Sequence, residues 1–238
     1  MKLLIRIPIL AALLSIAALG ISGLGVRQGW WTYRLGFQIL EWSAYGALAA
    51  TFLAVVALAI PKLRGGAVVA HVIAIAVGLV TAYLPWQWKQ QAQALPKIHD
   101  ISTDLSNPPQ FAKILPLRAA APNSANYGGP ELAKAQQAGY PDIQPLEIAL
   151  VPAEAFTRVL AAAKAMGWEV VDADVGTGVI EATDTTLWFG FKDDVVIRIT
   201  PTTSGSQIDM RSLSRVGRSD VGANAARIRK FFAKLAGQ

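Results

Sequence analysis

Three long apolar runs in the first 88 residues constrain this chain more than any other feature. They cover Leu3–Gly23, Phe37–Ile60 and Ala67–Leu84, which are 21, 24 and 18 residues long. A helix needs ~20 apolar residues to cross the hydrocarbon of a bilayer. The third run reaches that length when the residues at its ends are included. The sequence therefore predicts a transmembrane domain at residues 1–88, with spans near 3–23, 37–60 and 66–86.

The first run also resembles a secretory signal. Lys2 and Arg6 stand before an apolar core, and small residues follow near Gly20–Gly25. The run is long for the apolar region of a signal peptide, which favours an anchor that is not removed. Cleavage would leave two spans and would not move the C-terminal domain.

Charge is distributed unevenly along the chain. Residues 1–88 carry six Lys or Arg and one carboxylate, Glu41, whereas residues 89–238 carry 16 and 15. A pI near 9.7 would indicate nucleic-acid binding in a soluble basic domain, but here the excess flanks apolar runs. We therefore expect the lipid bilayer as a partner and no nucleic acid. With no cysteine in the sequence, disulfides and Cys-ligated metals are excluded.

The charges of the short loops predict the orientation of the spans. One side of the membrane receives Lys2, Arg6, Lys62 and Arg64, and the other receives Arg27, Arg34 and Lys89. Cytoplasmic loops carry an excess of Lys and Arg. The bias predicts a multi-pass protein of the bacterial inner (plasma) membrane with its C-terminal domain in the periplasm.

Two ionisable residues, Glu41 and His71, fall about one turn inside the second and third predicted spans. Ionisable groups within a membrane are candidates for function. Groups near the end of a span can instead extend to the interface at low cost, and we interpret both residues in that way.

Residues 89–142 are expected to form a linker and an extended arm that packs on the following domain. Asn107–Pro109 forces extended backbone, and Gly128–Pro130 marks a turn. His99 stands near Asp100 and Asp104, but one histidine and two carboxylates in a loop are a weak metal signal. We predict no metal and no cofactor.

Residues 143–238 show a complete pattern of alternating strands and amphipathic helices. The expected elements are strand 143–151, helix 154–166, strands 168–175, 179–185, 194–200 and 207–215, and a final helix with an apolar stripe from Val221 to Leu235. The fold class is thus a three-span helical anchor followed by an α+β domain. Its order is β-α-β-β-β-β-α, with an antiparallel sheet and both helices on one face.

Two runs in this region are specific enough to indicate a family. They are W-F-G-F-K-D-D at 188–194 and R-S-L-S-R-V-G at 211–217. With them, residues 97–235 resemble the bacterial and plastid domain-of-unknown-function family numbered 1499, some members of which carry amino-terminal membrane spans. The resemblance implies a shared fold, and it supplies no activity and no catalytic residue.

The end of the last predicted strand and the start of the last helix form a candidate anion-binding corner. Arginines, hydroxyls and helix N–H groups are the donors that hold phosphate or carboxylate. The candidate ligands are Arg211, Ser212, Ser214, Arg215 and Ser219. Ion pairs of the arginines with Asp209 or Asp220 would instead make the corner a structural brace, and Asp220 would compete with an anion for the helix donors.

A second group of candidates lies in the preceding strand. Asp193 and Asp194 are adjacent carboxylates, and Arg198 follows on the same strand. Neighbours in a strand point to opposite faces, so the pair is more simply interpreted as part of a turn. The aromatic run Trp188, Phe189 and Phe191 is interpreted as core packing, with a membrane-facing tip as the alternative.

The expected function is a non-catalytic periplasmic binding or accessory domain that recognises an anionic lipid, a wall component or a partner protein. The sequence contains no serine-hydrolase elbow, P-loop or dinucleotide motif, and we assign no catalytic residue. One alternative is a metal-assisted or acid/base hydrolase of the cell envelope. Another is a structural accessory subunit of a membrane complex.

Overall fold

The computed structural model describes residues 2–64 and 66–237. Three residues lie outside this description. They are Met1 in the predicted transmembrane domain, Gly65 in the loop before the third predicted span, and Gln238 in the predicted α+β domain. The chain forms two compact units. The first runs to Gln91 and includes Leu187–Gly190, and the second contains Ala92–Thr186 and the chain from Phe191 onward.

Long apolar helices build the first unit. Its elements are α1 (Lys2–Arg27), α2 (Tyr33–Ala59), the short α3 (Pro61–Arg64) and α4 (Val68–Ala94). Segments Arg6–Arg27, Tyr33–Ala59 and Val68–Ala94 are each long and apolar enough to cross a membrane. This confirms the three predicted apolar helices. The last one ends at Ala94. The next residue, Leu95, precedes Pro96, and a residue before proline disfavours a helical backbone.

Small residues let the helices of this unit approach closely. Ala47, Ala50 and Ala54 of α2 are fully buried. A Cβ added at Gly78 of α4 would lie 2.8 Å from the carbonyl oxygen of Ala47, so the contact requires glycine. Large apolar side chains point outward instead, and Trp42 is 71% exposed. This is the surface that a bilayer would cover.

The two ionisable residues of the spans behave differently. Glu41 accepts a hydrogen bond from the Tyr45 hydroxyl at 3.0 Å on the exposed surface. His71 is fully buried, with its Nδ1 at 2.7 Å from the carbonyl oxygen of Ala67. The interpretation of His71 as a side chain that extends to the interface is therefore wrong, because the ring lies within the helix bundle.

The segment Leu187–Gly190 packs with these helices. Phe189 is 5% exposed and its ring lies 5.2 Å from that of Phe37. The Trp188 indole N–H donates to the carbonyl oxygen of Gly20 at 2.9 Å. Phe189 is thus buried as expected of core packing, but its surroundings are the apolar helices rather than the core of the α+β unit.

The second unit contains one antiparallel sheet. Its strands are β1 (Asp100–Ser102), β2 (Leu146–Ile148), β3 (Glu169–Asp174), β4 (Val179–Thr185), β5 (Lys192–Pro201) and β6 (Ser206–Ser214). The order is β1-β6-β5-β4-β3, and β2 also pairs with β6. Strand β1 pairs with residues 211–213 of β6 and β2 with residues 206–208, so the two short strands share one side of β6.

Helices cover one face of the sheet and the arm covers the other. Helices α6 (Pro152–Ala165) and α7 (Ala223–Ala236) contribute Val159 and Phe231 to the core over Ile197 of β5. The order from β2 to α7 confirms the predicted fold class. On the opposite face, Phe111 and Ile114 of the arm bury Val196 and Leu213. The arm also includes β1, a 3₁₀ turn (Leu115–Arg118) and α5 (Gly129–Gly139).

Candidate functional site

Strand β6 sends its side chains alternately to the two faces of the sheet, and this divides the predicted corner. Arg211 and Leu213 face the arm, whereas Ser212 and Ser214 face α7. Alternation follows from the two-residue repeat of a strand. Residues that are neighbours in the sequence therefore belong to separate hydrogen-bond networks.

Arg211 is fixed in the layer between the sheet and the arm. It is fully buried, and its Nε and Nη2 donate to the two carboxylate oxygens of Asp100 at 2.9 and 2.8 Å. Nη2 also donates to the carbonyl oxygen of Ala125 at 2.8 Å. The guanidinium lies 5.1 and 5.3 Å from the ring centres of Phe111 and Tyr127. Its main hydrogen-bonding directions are occupied by groups of the protein.

Arg215 and Arg118 share the carboxylate of Asp194 in the same layer. Nη2 and Nε of Arg215 lie 2.8 and 2.9 Å from Oδ1 and Oδ2 of Asp194, and Thr183 donates to Oδ1 at 2.9 Å. Nη1 of Arg118 lies 3.4 Å from Oδ2, an ion-pair distance without hydrogen-bond geometry. Burial, followed by repulsion from Arg215, lowers the pKa of Arg118 despite the attraction of Asp194.

A third carboxylate in this layer, that of Glu181 in β4, is stabilised by hydrogen bonds from backbone N–H groups. It accepts from the N–H groups of Ala112 and Lys113 at 3.0 Å each and of Ile114 at 2.9 Å. Glu181 is 1% exposed. The sequence analysis did not identify Glu181. The pattern that could have indicated it is a carboxylate at the centre of the strand V-I-E-A-T. The contact fixes the arm on the sheet.

Ser212 and Ser214 meet a polar network from α7 on the opposite face. Ser212 donates to Oδ1 of Asn224 at 2.7 Å, and Nδ2 of Asn224 donates to Ser214 at 2.9 Å. Arg227 donates to Ser212 at 3.0 Å and to Asp193 at 2.5 Å. These partners explain why two serines interrupt an otherwise apolar strand face.

The acidic pair lies inside β5 rather than in a turn, so the turn interpretation is wrong. Asp193 faces Arg227 and Asp194 faces Arg215, as alternation requires. The third secondary candidate, Arg198, donates to Asp104 at 2.8 Å and to Asp209 at 3.0 Å. Each of the two carboxylates and Arg198 therefore has a charged partner within the domain.

Asp220 occupies backbone donors at the start of α7. Its carboxylate accepts from the N–H groups of Gly222 at 2.9 Å and Asn224 at 2.8 Å, and Ser219 accepts from Val221 at 3.2 Å. Burial raises the pKa of Asp220. The helix begins at Ala223, two residues later than predicted, because Val221 has a φ of 54°. Asp220 therefore occupies two of the backbone donors that an anion at the start of this helix would need.

The structure thus places the five predicted ligands in three groups. Arg211 and Arg215 lie in the arm-side layer, Ser212 and Ser214 in the network with α7, and Ser219 in the turn before that helix. It does not bring the five side chains into one shell. Each group stabilises a junction of β6 with the arm or with α7.

An open groove of about 520 Å³ lies beside this corner. Its lining includes three basic side chains, Lys97, His99 and Arg218, of which Lys97 and Arg218 are exposed. Nδ1 of His99 lies 3.4 Å from the carbonyl oxygen of Arg218. The lining also includes Asp100, whose charge is paired with Arg211. Sequence reasoning missed the groove, because the arm and residue 218 are about 120 positions apart.

The same groove has an apolar part. Ile98, Pro122 and Leu132 line it alongside the neutral polar side chains Asn123, Ser124 and Asn126. Asn123 holds the arm to the end of β6 by donating to the carbonyl oxygens of Ser214 and Gly217 at 3.0 and 2.9 Å.

In residues 2–64 and 66–237, no three His, Asp or Glu side chains converge on a possible metal site.

Comparison with known proteins identifies the family of this domain. A family model described as "Protein of unknown function (DUF1499)" matches residues 100–235, which is more than half of the chain. The chain belongs to this family. A search of curated proteins finds no match.

Proposed function

We propose that this protein is a membrane-anchored, non-catalytic binding protein whose α+β domain recognises an anionic lipid in the groove formed by Lys97, His99 and Arg218. The observation that carries the proposal is the combination of basic and apolar side chains around one open groove. A cationic rim favours a phosphate or carboxylate, and apolar walls favour the chain that a lipid headgroup carries.

The location of the domain is part of the proposal. Three helices that are long and apolar enough to cross a membrane support a bilayer anchor, and the loop-charge bias of the sequence supports a bacterial inner membrane with the domain in the periplasm. A lipid is then present at high local concentration. Attraction of a basic side chain to an anionic membrane surface is worth about 1 kcal/mol per Lys or Arg.

In this proposal the predicted corner holds the groove in shape. Arg211 neutralises and fixes Asp100, which lines the groove, and Asn123 ties the arm to the carbonyl oxygen of Ser214. A groove whose walls are held by paired charges and backbone bonds is preorganised, which lowers the entropic cost of binding.

Nuclear magnetic resonance of His99 tests the proposal directly. The sequence has two histidines, and His71 is buried among the helices, so a selectively labelled imidazole reports on the groove. The full chain in a neutral detergent is titrated with short-chain phosphatidylglycerol, short-chain phosphatidylcholine and inorganic phosphate. We expect the first to shift the His99 signals at the lowest concentration.

Charge variants identify the site. Lys97→Gln with Arg218→Gln should weaken phosphatidylglycerol binding roughly 10-fold or more, since two cations worth about 1 kcal/mol each are removed. The matched control is Lys164→Gln with Lys230→Gln, which removes two exposed cations outside the groove. If inorganic phosphate binds as tightly as phosphatidylglycerol, the ligand of the groove is a soluble anion and not a lipid. Equal effects of both double variants would overturn the site.

A further inference from the structure

The run W-F-G-F-K-D-D at 188–194 begins in the loop between two strands of the sheet. This loop joins β4, which ends at Thr185, to β5, which begins at Lys192. Its central part, Leu187–Gly190, belongs to the compact unit of apolar helices and not to the unit that contains the sheet. None of these four residues lines the groove of Lys97, His99 and Arg218. The proposed lipid binding therefore leaves the loop unexplained.

A contact with α1 gives the depth of this loop relative to the candidate spans. The Trp188 indole N–H donates to the carbonyl oxygen of Gly20 at 2.9 Å. Gly20 lies seven residues before Arg27, where the candidate span Arg6–Arg27 ends, so the contact lies about 10 Å along the helix axis from that end. The 22-residue span is about 33 Å long, close to the ~30 Å thickness of the hydrocarbon. Trp188 is therefore at the depth of lipid acyl chains.

Glycines of the helices make room for the two aromatic side chains of the loop. A Cβ added at Gly23 would overlap the ring of Trp188. One added at Gly36 would lie 3.3 Å from the ring of Phe189. The rings of Trp88 and Trp188 lie 5.3 Å apart. The loop thus packs against α1, α2 and α4 within the length of the spans.

Leu187 is the exposed apolar residue of this loop. Its side chain is 89% exposed, the highest value for a large apolar residue in the described parts of the chain. Its carbonyl oxygen accepts from Nη1 of Arg27 at 2.6 Å. A Cβ added at Gly190 would lie 3.2 Å from the Cα of Arg27. Both contacts place the loop backbone at the end of the α1 span, which is the depth of the membrane interface.

The surroundings at this depth favour lipid as the neighbour of Leu187. No charged side chain occurs from Thr185 to Phe191, so nothing in the loop has to remain in water. Tryptophan is enriched at membrane interfaces, and the helix unit exposes Trp30 and Trp86. The medium around helices that span a bilayer is lipid, so an exposed leucine at their end leaves water without a protein partner.

We propose that the loop Leu187–Gly190 inserts into the bilayer beside the helices, with Leu187 in contact with lipid at the interface. The chain is then attached to the membrane at a second point, about 90 residues beyond the end of α4. This inference rests on the bilayer anchor proposed above, and it is independent of lipid binding in the groove.

A spin label at position 187 tests the insertion. The chain has no cysteine, so Leu187→Cys gives a single labelling site in the full chain. In nanodiscs, power-saturation electron paramagnetic resonance compares collisions of the label with oxygen, which concentrates in hydrocarbon, and with a water-soluble nickel chelate. We expect collisions with oxygen to dominate. The melting temperature should not change, because the Leu187 side chain is almost fully exposed.

Two further labels separate failure of the loop from failure of the anchor. Trp42→Cys, on the exposed surface of α2, should favour oxygen. Val175→Cys, exposed in the turn between β3 and β4, should favour the nickel chelate. A label at 42 that favours nickel would refute the bilayer anchor itself. A label at 42 that favours oxygen, together with one at 187 that favours nickel, would overturn only the insertion of the loop.

A pair of glycine variants tests whether the helices hold the loop at this depth. Gly23→Ala places a methyl group against Trp188, whereas a Cβ at Gly20 meets no atom within 4 Å. With the label at 187, Gly23→Ala should increase collisions with nickel, and Gly20→Ala should leave them unchanged. Equal effects of the two variants would overturn the packing of the loop. A label at 187 that neither reagent reaches would indicate a protein contact and would overturn the contact with lipid.

Discussion

Removing one partner of the buried ion pair between Arg211 and Asp100 should cost far more stability than removing one partner of an exposed pair of the same shape. Arg229 and Asp142 also form two hydrogen bonds, at 2.6 and 2.7 Å, but their side chains are 46% and 53% exposed. The corresponding values for Arg211 and Asp100 are 0% and 4%. Replacing each arginine by methionine therefore compares the loss of a buried pair with the loss of an exposed pair of nearly the same geometry.

The magnitude follows from what each replacement leaves behind. Arg211→Met leaves Asp100 buried without its cation and removes the donor to Ala125. Loss of one partner of a buried pair costs about 3–5 kcal/mol. Loss of an exposed pair costs about 0.2–1 kcal/mol, because water solvates the remaining charge. At about 2–4 °C per kcal/mol for a chain of this size, Arg211→Met should lower the melting temperature by roughly 10 °C.

The assay is thermal unfolding of the full chain in a neutral detergent, followed by near-ultraviolet circular dichroism. The double variant Arg211→Met with Asp100→Leu should recover at least about 2 kcal/mol of the loss, since it removes the unpaired buried charge. Equal effects of Arg211→Met and Arg229→Met, or no recovery in the double variant, would refute the account of Arg211 as a brace.

Three further predictions concern charge, independence and orientation. The hydrogen bonds from Arg229 lower the pKa of Asp142, so Arg229→Ala should raise it towards its ordinary value in a carboxylate titration by nuclear magnetic resonance. Because that pKa is lowered on folding, the pair stabilises the fold above the unfolded pKa, and this contribution is lost as the pH falls through the folded one. In a fragment from residue 92 onward, Trp188 and Phe189 lose the helices that they contact in the full chain, so both are replaced by serine. This fragment should unfold cooperatively as a monomer, and aggregation without a cooperative transition would contradict an independent core. A reporter that works only in the periplasm should be active when it is fused after residue 238. Activity of a reporter that works only in the cytoplasm would contradict the predicted orientation.

The regular elements of the fold were predictable because their patterns are local. Strand β4 was predicted at 179–185 and is found at Val179–Thr185, and the order from β2 to α7 is as expected. Strand β1 was missed. Asp100–Ser102 contains one apolar residue, and it is a strand because it pairs with residues 211–213 of β6. A sequence pattern does not contain that distant partner.

The candidate site was less predictable than the fold. The sequence indicated that Asp193 and Asp194 face opposite ways if they lie in a strand, but not that each would meet an arginine. The arginines of the corner were recognisable as a cluster. The carboxylate partner of Arg211, Asp100, comes from the arm, more than 100 residues away in the sequence. Whether an arginine braces the fold or faces a groove depends on how that arm is placed.

Lipid binding in the groove, the central claim, is tested most directly by native mass spectrometry of the full chain extracted from a bacterial membrane. The spectrum of the unaltered protein should show a bound anionic phospholipid that survives removal of the detergent. Lys97→Gln with Arg218→Gln should lose this adduct, and Lys164→Gln with Lys230→Gln should retain it. A spectrum without anionic lipid, or an adduct that both double variants retain equally, would contradict the claim.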